Sequence, residues 1–268
     1  MSAPANFKIE IEDYIAWLTL NRPEKRNAMG MSFFEEIGAR FDEFDRNPDI
    51  RVVIIKAEGK SFSAGTDLKE AAALVSQRSA DGRDKMQQSI LTLQMGLTKI
   101  ERCRKPVIAA VHSHCVGGGM DMICACDMRL ATKDAIFSVR ETRMGIVADL
   151  GTLQRLPHII GQGWFRELAL TGRDFTAQEA LQLGLITRIC DNRPVLYSAA
   201  KDLAKQIAAC PPLTVQGTKE VINYSRDNGI EAGLRYVALK NSAALPSEDL
   251  FEALAAFKEK RAPVFKGK

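Results

Sequence analysis

Three carboxylates fall close to glycine-bearing turns. Asp121 lies in the first turn after Gly117-Gly118-Gly119, Glu141 in the loop that follows, and Asp149 at an expected helix start, with spacings of 20 and 8 residues. Carboxylates gathered in one pocket can divide proton abstraction from proton delivery. Each also has a plainer role open to it: Asp121 and Asp149 as helix caps or partners of a helix dipole, Glu141 as a solvated loop charge. The glycine triplet follows an expected strand and opens an expected helix, so its free N–H groups would point at whatever docks there. The loop Ser63-Ala-Gly-Thr-Asp has the same form, with an exposed amide at Thr66. One amide from each turn, converging on a single oxygen, would make an oxyanion hole suited to a thioester carbonyl becoming an enolate. A plain tight turn is the alternative reading of either loop.

Other chemistries lack their motifs. The chain has no Gly-x-Gly-x-x-Gly, no Walker loop and no Gly-x-Ser-x-Gly elbow. Its three histidines are His112, His114 and His158, and no third ligand stands at metal-like spacing from the first two. Core or turn histidines, and no metal, are expected. Cys124 and Cys126 sit inside an apolar segment and read as buried thiols. Lys25 and Arg26 could meet phosphates or simply face solvent.

The elements that must hold these residues follow from patterning. Short strands are expected at Phe7 to Glu12, Tyr14 to Leu20, Val52 to Lys56, Pro106 to Val111, Met128 to Ala131, Ala135 to Val139 and Ile186 to Cys190. Phe33, Ile37, Phe41 and Phe44 keep helical spacing, which predicts an amphipathic helix from Ser32 to Arg46. The polar stretch Ser76 to Asp84, with Gly82, reads as a mobile surface loop before a helix from about Lys85 to Arg102. Further helices are expected near Asp149 to Leu156 and over most of the chain beyond Thr176. The fold class is therefore α/β, divided into a core over 1–193 and a helical region over 194–268.

Composition agrees with a folded enzyme-sized domain. The 268 residues are 46% hydrophobic and 26% charged, with a net charge of +4. Those values exclude a disordered, collagenous or disulfide-scaffold chain. The charge is too mild and too scattered to imply nucleic acid, but it suits an anionic small molecule. No stretch approaches the roughly 18–20 apolar residues of a membrane span. The opening residues lack a signal-peptide pattern, the end is not of the Ser-Lys-Leu type, and the six cysteines read as reduced, so a cytoplasmic location is expected.

Five segments in order resemble the crotonase (enoyl-CoA hydratase/isomerase) superfamily. They are Asn21-Arg-Pro-Glu-Lys-Arg-Asn-Ala, Phe62-Ser-Ala-Gly-Thr-Asp-Leu, Lys105-Pro-Val-Ile-Ala-Ala-Val, Gly117-Gly-Gly and Gly151-Thr-Leu-Gln-Arg-Leu-Pro. The resemblance covers about residues 7 to 260. It implies a spiral of ββα repeats with a helical C-terminal trimerisation region, giving a homotrimer or homohexamer. It also implies a coenzyme A thioester substrate and no separate cofactor. By match, the amides of Thr66 and Gly118 hold the thioester oxygen. Ala64, Gly65, Asp67 and Leu68 lie against the coenzyme A, with Lys25, Arg26 and Ala28 near its nucleotide portion.

The set Asp121, Glu141 and Asp149 is similar to that of the dienoyl-CoA isomerase branch, as are Ala148-Asp-Leu-Gly-Thr-Leu-Gln-Arg-Leu-Pro and Tyr224-Ser-Arg-Asp. In the hydratases of the family, glutamates match Asp121 and Glu141, and a glycine usually matches Asp149. The resemblance therefore implies isomerisation of a 3,5-dienoyl-CoA to a 2,4-dienoyl-CoA in unsaturated fatty acid β-oxidation. Asp149 would take the C2 proton and Glu141 would deliver one at C6, with Asp121 between them. Mutual repulsion should raise at least one of the three pKa values and keep Glu141 protonated. Two alternatives stay open: an enoyl-CoA hydratase in which Glu141 and Asp121 activate water, and a non-catalytic acyl-CoA or RNA-binding member.

Overall fold

The apolar runs of the sequence lie side by side because they are covered on both faces. In the computed structural model, which describes residues 6–75 and 79–268, they build a six-stranded sheet. Its strands are β1 (Phe7–Glu12), β2 (Ile15–Leu20), β3 (Val52–Ala57), β4 (Val107–Val111), β6 (Met128–Thr132) and β9 (Arg188–Cys190), in that spatial order. β1 pairs antiparallel with β2, and the other neighbours are parallel. A smaller sheet holds β5 (His114–Val116), β7 (Ile136–Ser138) and β8 (Phe175–Thr176) in that order.

Alternate residues of the central strands enter two different cores. Ile15, Trp17, Val52, Ile54, Ile108 and Ala110 face α8 (Arg193–Ala208), meeting its Leu196, Ala200, Ala204 and Ala208. Ala16, Leu18, Val53, Ile55, Val107 and Ala109 face the larger core. Parallel strands buried on both sides read as continuous hydrophobic runs, which is why the sequence shows little alternation there. The larger core receives Phe33, Phe34, Ile37, Phe41 and Phe44 from α1 (Met31–Arg46) and Leu93, Leu97 and Ile100 from α3 (Ala80–Arg102). Each of these large side chains contributes roughly 1.5–3 kcal/mol by leaving water.

The remaining helices are α2 (Leu68–Val75), α4 (Gly118–Cys124), α5 (Thr152–Ile160), α6 (Gln162–Thr171), α7 (Ala177–Gln182), α9 (Pro212–Asn228), α10 (Ile230–Ala244) and α11 (Glu248–Glu259). The sequence division at residue 193 falls where α8 begins, and α8 itself covers one face of the large sheet. Lys219 fastens α9 to the sheet: its buried ammonium donates to Asp127 at 2.6 Å and to the Lys105 carbonyl at 3.1 Å. Beyond that anchor, α9 to α11 leave large apolar side chains in the open, with Ile230 82% and Phe257 87% exposed.

Two local expectations differ from the structure. The stretch expected as a loop is helical from Ala80, because the Ser79 hydroxyl caps α3 by accepting from the Gly82 amide at 3.0 Å; residues 76–78 lie outside the described residues. The expected helix start at Asp149 is also displaced. α5 begins at Thr152, with Gly151 as its N-cap residue at φ +124°.

Candidate active site

Two turns meet at the C-terminal ends of the parallel strands, where open α/β sheets commonly bind ligands. The loop after β3 runs back along Met29: Met29 N–H donates to Gly65 O and Asp67 N–H donates to Met29 O, both at 2.8 Å. This bridge uses the residues on either side of Thr66 and leaves the Thr66 amide without an acceptor among the described residues. The Gly118 amide is the first of α4, so no earlier turn of its own helix can accept from it. A methyl group on Gly118 would stand 3.3 Å from the Thr66 nitrogen, so the two turns are in contact. Gly117 makes the approach possible with φ +54° and ψ −122°, a conformation that side chains disfavour. A methyl group there would also reach within 3.2 Å of a Glu141 carboxylate oxygen.

A cavity of about 430 Å³ opens on these amides. Thr66, Gly118, Asp121, Glu141 and Asp149 all line it, as do Ala64, Gly65 and Leu68. The wall beyond the carboxylates is apolar, with Phe34, Met86, Ile90, Leu93 and Leu150 among its residues. Pairing of β5 with β7 sets the glycine turn beside Glu141, which begins the 3-10 turn Glu141–Met144 after β7. That turn closes on itself through Ile146 N–H to Glu141 O at 3.1 Å and is tied to α6 through Thr142 Oγ1 to Ala169 O at 2.6 Å.

The three carboxylates differ in their surroundings. Asp121 is buried and its Oδ1 accepts from the Thr152 amide at 2.7 Å. It therefore caps α5, a different helix from the one that carries it. Burial, then the charge of Glu141 and that of Asp149, pushes the Asp121 pKa up to about 7 against the bonds from Thr152. Burial also raises Glu141, and the Asp149 charge adds to it. Asp149 is raised by burial, opposed by a hydrogen bond from its own backbone. The upward push acts on all three acids, but burial is its first cause in each; the repulsion expected between them adds to it at Asp121 and Glu141 and not at Asp149. Oε2 of Glu141 is buried and has no hydrogen-bond partner, so it is available to a group entering the cavity.

Four expected coenzyme A contacts lie outside this lining. The Lys25 and Arg26 side chains are exposed on the neighbouring loop and Ala28 is half-buried. That loop is held to the cavity wall by Ala64 N–H to Arg26 O at 2.9 Å. Asp67 is buried and paired with Lys25 at 3.3 Å and Arg22 at 3.7 Å, an arrangement that braces the two loops together. Sequence reasoning missed Glu70 and Arg140, both on the cavity wall. Glu70 accepts from Met31 N–H at 2.8 Å at the start of α1, and Arg140 donates to Ser138 Oγ at 3.2 Å and pairs with Asp174. Their only sequence signal is adjacency to Asp67 and Glu141.

The residues considered for other chemistry lie elsewhere. His112 is buried with a ring nitrogen 3.2 Å from Gly59 O, and burial lowers its pKa to about 4, while His114 is exposed. Burial pushes the Cys124 and Cys126 thiols up to about 12, so they are inert at neutral pH. Among the described residues no three His, Cys, Asp or Glu side chains gather as a metal site, and no helix is long and apolar enough to cross a membrane.

Known proteins resemble the chain in both sequence and fold. Residues 10–268 match the family model described as enoyl-CoA hydratase/isomerase. The chain is 44% identical over 254 residues to the peroxisomal Δ(3,5)-Δ(2,4)-dienoyl-CoA isomerase of Arabidopsis thaliana, covering 92% of this chain and 91% of the relative. It is 43% identical over 257 residues to the mitochondrial enzyme of the same name from Dictyostelium discoideum, covering 94% and 88%. The names of these two proteins give organelles, whereas the sequence reading expects the cytoplasm. The crystal structure of an enoyl-CoA hydratase from Bacillus anthracis superposes with a TM-score of 0.91 at 30% identity, covering 98% of this chain and all of the other. The chain belongs to the enoyl-CoA hydratase/isomerase family.

Proposed function

We propose that the protein isomerises 3,5-dienoyl-CoA thioesters to 2,4-dienoyl-CoA thioesters, a step in the breakdown of unsaturated fatty acids. The observation that carries this reading is the grouping of Asp121, Glu141 and Asp149 in one largely apolar cavity with the amides of Thr66 and Gly118, neither of which has an acceptor among the described residues. The relatives named dienoyl-CoA isomerases at 43–44% identity support it. In this reading the thioester oxygen accepts from the two amides, which stabilises the charge that forms when the C2 proton leaves. The Asp149 carboxylate takes that proton. Electron density shifts along the dienolate, and the Glu141 carboxyl protonates C6. Asp149 has then gained one proton and Glu141 lost one, and exchange with solvent restores both. The raised Glu141 pKa favours the protonated form that the donor role needs.

The exposed apolar side chains of α9 to α11 support self-association as a trimer or hexamer, which light scattering would measure. Six free cysteines, five of them buried, fit a reducing compartment.

Ultraviolet spectroscopy of the purified protein tests the reaction. Growth of the conjugated 2,4-dienoyl thioester band from a 3,5-dienoyl-CoA is the expected result, and Asp149→Asn should slow it by about 10²–10⁴-fold. Loss of the enoyl band of a 2-enoyl-CoA, with no change in the dienoyl cell, would instead establish a hydratase and leave Asp149 as a structural residue.

A further inference from the structure

We infer that Gln94 is a positioning residue that aims Asp149 at the substrate; this rests on the reading of Asp149 as the base. Gln94 Nε2 donates to the backbone carbonyl of Asp149 at 2.6 Å, from α3, which is 55 residues away in sequence. No regular helix or strand holds the Asp149 backbone, since β7 ends at Ser138 and α5 begins only at Thr152. Fixing that peptide therefore depends on side chains. Gln94 holds one end of the segment, and Asp121 holds the other through Thr152 N–H at 2.7 Å. Between them Leu150 is buried and Gly151 adopts φ +124°.

α3 is built for this task by its spacing. Gln94, Thr98 and Glu101 stand at i, i+4 and i+7, which places them on one face of the helix. Thr98 Oγ1 and Glu101 Oε2 both accept from Arg155 Nη2 at 3.1 Å, so the same face grips the first turn of α5, six residues beyond Asp149. The adjoining stripe, Met86, Ile90 and Leu93, has the same spacing and lines the cavity. One helix thus forms the apolar wall of the pocket and sets the backbone of its base. A base displaced by about 1 Å can lose on the order of 10²-fold in rate.

The test compares Gln94→Met, which keeps length and helix propensity but removes the donor, with Gln94→Lys, which restores a donor. Both are assayed with a 3,5-dienoyl-CoA beside the wild type and Asp149→Asn. Gln94→Met should lower kcat by about 10-fold with KM within about twofold, and Gln94→Lys should recover most of the loss. A melting curve for each variant confirms that it is folded. If Gln94→Met does not fold, Gln94→Glu keeps the shape, cannot donate when ionised, and should show the same loss of kcat. Wild-type kcat in Gln94→Met, or equal losses in Gln94→Met and Gln94→Lys, would overturn the inference. An inactive Asp149→Asn beside a fully active Gln94→Met removes the positioning role alone. An Asp149→Asn as fast as wild type, or a wild type that does not isomerise, removes the Asp149 reading and the positioning role with it.

Discussion

Replacing Asp121 by asparagine should stabilise the protein, and by an amount that grows with pH. The carboxyl is 1% exposed and burial lifts its pKa from 3.8 to about 7. The folded state therefore binds a proton that the unfolded chain has released throughout the interval between those values. Stability falls with pH wherever the folded state holds more protons, so wild type weakens from about pH 4 to about pH 7 and levels off above. At about 1.4 kcal/mol per pH unit, the full effect is on the order of 4 kcal/mol, of which about 3 kcal/mol develops between about pH 5 and pH 8.5. Asparagine has nearly the same shape, keeps the oxygen that accepts from Thr152 N–H and carries no charge to bury. The excess melting temperature of Asp121→Asn over wild type should thus widen by several degrees across that range. Paired thermal melts at closely spaced pH values provide the assay. A gap that is constant or that narrows with rising pH would show that Asp121 ionises freely in the folded protein, and the account of a crowded, desolvated acid cluster would fail.

Lys219→Ala should cost on the order of 2–3 kcal/mol in urea unfolding, because it leaves the half-buried Asp127 without the buried ammonium that pairs with it; adding Asp127→Asn should restore part of that loss. Gly117→Ala should cost roughly 1–3 kcal/mol through its positive φ and lower kcat as well, since the new methyl crowds the Glu141 carboxylate. A Gly117→Ala enzyme with unchanged melting temperature and kcat would refute both parts.

The amphipathic helix α1 was legible because its four aromatic and aliphatic positions recur at helical spacing, and β3 and β4 because both faces of each strand are buried. The start of α3 was not: a solvated first turn is polar and contains Gly82, which in sequence looks the same as a loop. Only the Ser79 cap distinguishes them. β5 escaped notice for a related reason, since three residues are too few to show a period. In the candidate site, the glycine turn and the three acids were visible as residue types, whereas Glu70 and Arg140 carry no local pattern and the helical spacing of Gln94 with Thr98 and Glu101 does not say what that face meets.

The sequence by itself determined which groups are present: two amide-bearing turns, three carboxylates and an apolar helix stripe, each written in residue type and short-range spacing. The tertiary structure decided which of them meet. Asp121, Glu141 and Asp149 converge because β5 pairs with β7 and because Asp121 caps a helix 31 residues further on. The same convergence removes them from water and raises their pKa values, a property of the shared cavity that no residue has alone. Asp67 shows the reverse case, a charge inside the matched loop that the fold commits to Lys25 and Arg22. Long-range pairing selects such partners, and chain spacing does not encode it.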